Sequence, residues 1–296
     1  MVNYIFFTDS SVDLPSEVMA TEGADYIGFT YTIDGITQLQ HRIEDTIATK
    51  AFYSALREGK LPQTSQINAE EFKAAWEPYL KNGQDILYYG MSSAISNTYS
   101  NALLAAHQLK EEYPERKIET VDSLSATGMQ GIMYYNGLLK YKNGATLEEL
   151  KLWLEQNRLT SRGLYTTDDL NHLKRGGRIS AASASLGTLL DIKPLLAMDR
   201  EGHVISTEKV KSRKKAFKRI VEELNDNIIK NSGSMSDTVL ICQGDCMQDA
   251  LELKEMILKK NKDIRNVIIS DLGITIGTHL GTNCIGLGYI GKERSV

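Results

Sequence analysis

The chain has 296 residues, 42% of them hydrophobic and 24% charged, with a formal net charge of −4. That length suggests two domains or one large one, and the ordinary apolar content marks a globular chain. The acidic balance argues against a protein built mainly to bind nucleic acid, and no apolar run reaches the ~18 residues that a membrane span requires.

The first element is an apolar strand over Tyr4–Thr8, followed by a loop and a helix with Asp13 as its cap and Pro15 in its first turn. "DYIGFTYTI" reads as one second strand, and "DTIATKAFYSALREG" as a helix closed by Gly59. Asn68 and Glu71 have the spacing of a capping box at the start of another helix. "DILYYGM" and "KIETVDS" are strands on either side of the helix "ALLAAHQLKEEY", and "SATGMQGIMYYNGLLKYKNG" is a helix with more glycine than a helix favours. Strands alternating with helices predict a mostly parallel sheet covered on both faces, with ligands beyond the carboxyl ends of its strands. The loops expected at that rim, "TDSS", "TSQIN", "MSSAISN" and "VDSLSATG", are all rich in Ser, Thr and Asn.

"ATLEELKLWLEQNR" is a helix with Leu147, Leu150, Trp153 and Leu154 on one stripe, expected to bridge to a second domain. The texture then changes to shorter strands at Gly163–Thr167, His203–Thr207, Thr238–Gln243 and Asn266–Asp271, with helices near 212–230 and 247–261. The boundary is expected near 160, giving α/β domains over 1–160 and 161–296.

Cys242, Cys246 and Cys284 form no second pair of metal-ligand spacing, so no metal is expected. An odd cysteine count, and a start that runs straight into a strand with no basic segment, point to a cytoplasmic location. There is no P-loop and no G-x-S-x-G elbow, and His41, His107, His172, His203 and His279 include no H-x-x-x-H. Ser96 either caps its own helix or gives a hydroxyl to a ligand, and Thr64 and Ser65 share that ambiguity. Hydroxyls without a fixed charge suit a monoanion such as a carboxylate, whereas a triphosphate would call for Lys, Arg or Mg²⁺. In "DDLNHLKRGGRIS" the paired glycines stop a short helix and aim Arg178, as a carboxylate anchor or a solvated surface residue. "SAASASLGTLL" suits close approach of an apolar tail or tight helix packing equally. The basic run Lys209–Arg219, with Val210, Ala216, Phe217 and Ile220 on its buried side, is a solvated face or a dock for an acidic protein, a membrane or nucleic acid.

Taken in order, "FFTDSSVDLP", "TSQ", "SSAISNTYSNA", "VDS", "DDLNHLKRGGRIS", "DIKPLL", "EKVKSRKKA" and "IGTHLG" resemble the DegV family of fatty-acid-binding proteins over nearly the whole chain. The resemblance implies two α/β domains, the first with a mostly parallel sheet between helices and the second with a mixed sheet, and one long-chain fatty acid between them. It implies a lipid carrier rather than an enzyme, with no cofactor, that presents the acyl carboxylate to a partner kinase for acyl-phosphate formation. Transient membrane contact belongs to the same expectation. Thr64 and Ser96 match the carboxylate ligands, and Arg178 and His279 match positions for head-group support or phosphotransfer. The chain departs from the family pattern after Gln66, at Asn97, and after His279. The rival readings are a small-molecule enzyme using the interdomain cleft and a nucleic-acid-binding regulator using the basic run.

Overall fold

The computed structural model describes residues 3–40, 46–168, 170–179, 192–229 and 235–295. Strand β1 (Tyr4–Asp9) leads into a 3-10 turn and a short helix α1 (Ser16–Met19). Asp13 does not cap that helix. It adopts a left-handed conformation, and Pro15 takes the cap position without a side-chain bond. The "DYIGFTYTI" run is two strands, not one. β2 (Ala24–Ile27) joins β1, while β3 (Thr30–Ile33) pairs with β4 (Ile36–Leu39). Helix α2 (Thr46–Arg57) follows, then β5 (Gln63–Ser65), which pairs with the other edge of β3.

Helix α3 (Ala69–Lys81) starts with the expected capping box between Asn68 and Glu71. Then come β6 (Asp85–Gly90), α4 (Thr98–Glu112), β7 (Ile118–Asp122), α5 (Thr127–Lys142) and α6 (Leu147–Asn157). The first sheet has the order β2-β1-β6-β7 and is parallel throughout, as the alternation of strands and helices predicts. Its central strands are buried on both faces, so they read as unbroken apolar runs.

The chain passes through a 3-10 turn into β8 (Ser161–Thr166) and α7 (Asn171–Gly176). Strands β9 (Ile192–Met198) and β10 (Val204–Lys211) pair antiparallel, with a register shift between Ser206 and Glu208. Helix α8 (Arg213–Asn227), β11 (Thr238–Gln243), α9 (Met247–Lys260), β12 (Asn266–Asp271), α10 (Ile274–Leu280) and β13 (Ile285–Ile290) complete the fold. The second sheet, β10-β9-β8-β13-β11-β12, is mixed, with β11 and β12 parallel and the other pairs antiparallel. Three features escaped the sequence reading: β9, β13, and the separate antiparallel sheet β4-β3-β5.

Helix α5 explains its own glycines. It packs against β13, β11, β8 and β1, and twelve of its residues are buried. A Cβ at Gly288 would lie 2.0 Å from the carbonyl oxygen of Gly128, and one at Gly131 would lie 2.2 Å from that of Val12. Backbone meets backbone there, and only glycine leaves room. The main core accordingly draws on Phe6, Trp76, Tyr88 and Tyr134 together with Tyr165, Leu196 and Leu240. A smaller core lies under α8 and α9 and includes Phe217, Leu224 and Leu253.

Candidate functional site

A cavity enclosing about 820 Å³ of atom-free space, open solvent at its mouth included, draws its walls from the mixed sheet, the small sheet, helices α5 and α10, and the loop after β6. Most of the wall is apolar, with Met91, Ile95 and Met129 from the first half facing Leu196, Met198 and Val204 from the second. The polar exceptions include Thr64, Ser65, Gln66, Ser96, Arg178 and His279. All four site residues expected from the sequence therefore border one cavity.

They arrive there on unrelated elements. Thr64 sits on β5, the three-residue edge strand, so "TSQ" belongs to the small sheet and not to the rim of the parallel one. Ser96 precedes α4 by two residues. Its hydroxyl accepts from the Thr98 N–H at 3.2 Å and donates to Thr98 Oγ1 at 2.9 Å. The nominal cap, Asn97, makes no side-chain cap bond, so Ser96 does the capping from one position earlier. The Thr98 hydroxyl also accepts from the Ile67 N–H at 3.2 Å, and Asn101 donates to the Ile67 carbonyl at 2.8 Å. These bonds fasten the segment after Thr64 to the start of α4.

His279 lies in the last turn of α10, a helix that the sequence analysis did not assign. Its Nε2 is 2.9 Å from Thr64 Oγ1, and its Nδ1 is buried with no partner among the described residues. A proton on Nδ1 would be an unsatisfied buried donor, so the hydrogen-bond network assigns it to Nε2. Nε2–H then donates to Thr64, whose own proton is left to point elsewhere. Burial, reinforced by the nearby Arg178 and His172, lowers the His279 pKa to about 4, and the ring is neutral at pH 7.

Arg178 follows Gly177, which closes α7 in the left-handed conformation at φ +69°. Gly176 is the last helical residue rather than part of the turn. The Arg178 guanidinium donates from Nε to the Ile95 carbonyl at 3.3 Å and from Nη1 to the Gly176 carbonyl. This cation is thereby held beside the loop that carries Ser96.

The four polar loops divide their labour unequally. "TDSS" turns inward: Asp9 accepts from the Tyr88 hydroxyl at 2.8 Å and the Met91 N–H at 2.8 Å, and Ser10 accepts from the Phe29 N–H at 3.1 Å. From "VDSLSATG" only Ala126 and Thr127 reach the cavity, because Ser123 and Ser125 bond each other. A second cleft, on the outside, is lined by Pro62, His172 and Arg175 together with Thr64, Arg178 and His279. Those last three residues stand between the cavity and the outer cleft.

Asp169, Ser180, Asp191, His41 and the "SAASASLGTLL" run lie outside the described residues. Ala216, Phe217 and Ile220 form the buried side of the basic run, and Arg219 is paired with Glu208 and Glu222. The three cysteines are free, with Cys242 and Cys284 buried. No helix among the described residues is long and apolar enough to cross a membrane.

Comparison with known proteins follows the whole length of the chain. A family model described as an uncharacterised protein of the DegV family matches residues 5–292. A DegV domain-containing protein of Clostridium perfringens is 38% identical over 294 residues, covering 99% of each chain. The crystal structure of a DegV lipid binding protein from Thermotoga maritima is similar with a TM-score of 0.86 at 27% identity, covering 99% of this chain and 100% of that one. That of DegV from Bacillus subtilis, described as a fatty acid binding protein, gives 0.80 at 28% identity with the same coverage. The match spans both large sheets and the segments that bear Thr64, Ser96, Arg178 and His279, and the chain belongs to the DegV family.

Proposed function

We propose that this protein binds one long-chain fatty acid in the cavity between its two halves, divided near residue 160, and presents the carboxylate to a kinase. The observation that carries the proposal is a mostly apolar cavity whose polar residues Thr64, Ser96, Arg178 and His279 come from four separate elements. Burial of each methylene contributes ~0.8 kcal/mol, so the tail supplies most of the affinity. The head group then needs orientation more than strength. Thr64 supplies a hydroxyl to the carboxylate, and Ser96 does so by turning its proton from Thr98 Oγ1 to the acid. The neutral His279 fixes Thr64 by accepting none of its proton, so that proton is available to the acid. Arg178 supplies the compensating charge.

Relatives described as lipid binding and fatty acid binding support the ligand class. The outer cleft supports presentation, since a carboxylate held by Thr64 and Arg178 is reachable from outside without release of the tail. In this reading the chain supplies no catalytic nucleophile or cofactor, acts in the cytoplasm, and meets the membrane only to exchange lipid. Solvent extraction of the purified protein followed by lipid mass spectrometry tests it. Roughly one fatty acid per chain is expected. A chain that carries none and takes up neither oleate nor palmitate overturns the proposal.

A further inference from the structure

The mixed sheet is open where it passes the cavity. Among the described residues β8 and β9 pair at only two positions, Tyr165 with Leu196 and Thr166 with Leu195. The β9–β10 ladder, by contrast, runs the full length of β9, from Ile192 opposite Lys211 to Met198 opposite Val204. Beyond Leu196, then, β9 leaves β8. The register shift in β10, between Ser206 and Glu208, falls opposite the same two residues, Leu196 and Leu195. Such an irregularity bends its strand and interrupts pairing. The hairpin tip over residues 197–206 is therefore a flap hinged at Leu195 and Leu196. Its inner side gives Met198 and Val204 to the cavity. On the other face of the sheet lies a cleft with about 800 Å³ of atom-free space, open solvent included. Gly163 and Leu164 of β8 and Ala197, Met198 and Ile205 of the flap line it. Ala197 and Met198 border both spaces, so the wall between them is a single strand thick.

The flap is stiff in itself and lightly fastened at its end. The Asp199 carboxylate accepts from the N–H groups of Glu201 and His203 at 2.9 and 2.8 Å, which braces the turn. The Ser92 hydroxyl donates to the Gly202 carbonyl at 2.9 Å, and Arg294 donates from Nη1 to the Asp199 carbonyl at 2.8 Å. Arg200 returns a bond to the Arg294 carbonyl. A braced turn on a two-pair hinge moves as one piece once these few bonds part. Helix α5 packs against β13, β11, β8 and β1, so it keeps its beds while the flap swings. The gap that opens has Leu164, Ala197, Met198 and Ile205 at its edges, an apolar rim with a flexible methionine. An acyl chain suits such a rim.

We infer that the flap over residues 197–206 opens a side mouth between β8 and β9 through which the acyl chain enters and leaves the cavity. Loading and presentation then use different openings: the bound acid is offered at the outer cleft while its tail stays behind a closed flap. This inference rests on the fatty-acid reading above. The test follows, by stopped flow, the exchange of bound oleate for an excess of a fluorescent fatty acid, with the equilibrium affinity for oleate measured beside it. Ser92 and Gly202 do not line the cavity, so changing them removes no wall residue. In Ser92→Ala the rates of dissociation and association are both expected to rise about two- to tenfold, for the one bond lost, while the affinity stays the same. The double variant Ser92→Cys, Gly202→Cys supplies a lock. A Cβ at Gly202 would lie 3.2 Å from that of Ser92, close to the ~3.5–4.5 Å of disulfide partners. The strain of a side chain at the Gly202 φ of +87° is present in its reduced and oxidised forms alike, so the comparison is made between those two. Peptide mapping confirms the bond, since Cys242, Cys246 and Cys284 are free thiols. Oxidation is expected to slow exchange about tenfold or more, and reduction to restore it. Equal exchange in the two forms overturns the side mouth, as do unchanged rates in Ser92→Ala. A loss of affinity in Ser92→Ala with an unchanged association rate makes Ser92 a support of the binding site and overturns it too. A wild-type protein that takes up no oleate overturns the fatty-acid reading and the side mouth with it.

Discussion

Gly176 is the surface against which His279 rests: a Cβ on Gly176 would lie 2.4 Å from Nδ1 of the imidazole. Gly176→Ala is otherwise a gentle change, since the residue is helical and alanine favours a helix by up to ~1 kcal/mol over glycine. The added methyl must push the ring away and part Nε2 from Thr64. Fatty-acid affinity is expected to fall while thermal stability changes little. Isothermal titration beside a melting curve checks both.

The hydroxyls of Thr64 and Ser96 are expected to contribute unequally. Ser96→Ala removes one neutral donor to the acid, about 0.5–1.5 kcal/mol in binding. It also removes the acceptor for the Thr98 N–H, so the melting temperature falls too. Thr64→Val leaves His279 with neither ring nitrogen paired and is expected to cost more, about 1–3 kcal/mol. Unchanged affinity in the double variant would remove both residues from the carboxylate site.

His279 titrates far below its unfolded value, which fixes the sign of a pH effect. Between about 4 and 6.5 the unfolded chain binds a proton at this residue that the folded chain does not. Stability from the neutral ring is therefore complete above 6.5 and is lost as pH falls towards 4. His279→Gln, which cannot charge, is expected to gain on the wild type as the solution is acidified through that window, by no more than ~3 kcal/mol. Denaturant melts of both proteins at a series of pH values give the difference, in which other titrating groups cancel. A constant difference would mean that the ring is not held neutral.

Arg178 and His279 are the residues expected to separate binding from presentation. In the proposed reading the tail supplies most of the affinity, so Arg178→Ala is expected to lower kinase-dependent acyl-phosphate formation more than lipid binding. The same holds for His279→Ala, with the added loss of the bond to Thr64. Both quantities are measured with a cognate fatty acid kinase. Equal losses would reduce the pair to ordinary ligands of the acid.

Much of this was legible in the sequence because the relevant patterns are long. β1 and β6 are continuous apolar runs, and Asn68 with Glu71 spells a capping box that the chain forms. Thr64 and Ser96 stood out as uncharged hydroxyls in loops, whereas the assignment of Arg178 and His279 to the head group came from the family resemblance. What escaped is short or broken. The β4 residues are all exposed and β5 is three residues long, so neither has an apolar face to show a period of two. α10 hides behind Gly277, which is needed because a Cβ there would lie 2.7 Å from the Tyr53 hydroxyl. Asp13 looked like a cap because its spacing to Pro15 is right. Its bond to Gly273, 260 residues away, is a tertiary contact that no local pattern announces.

Helix α5 bears on how the molecule responds to stress. It belongs by sequence to the first half, yet it lies between the two sheets, with Gly128 against β13 and Tyr134 against Phe6 of β1. Neither sheet can melt without stripping a face of this one rod. The two sheets are therefore expected to lose their structure together, in one calorimetric step. A hinge opening near residue 160 would have to tear the rod from one of its two beds, so the proposed ligand would enter and leave by smaller displacements at a mouth of the cavity.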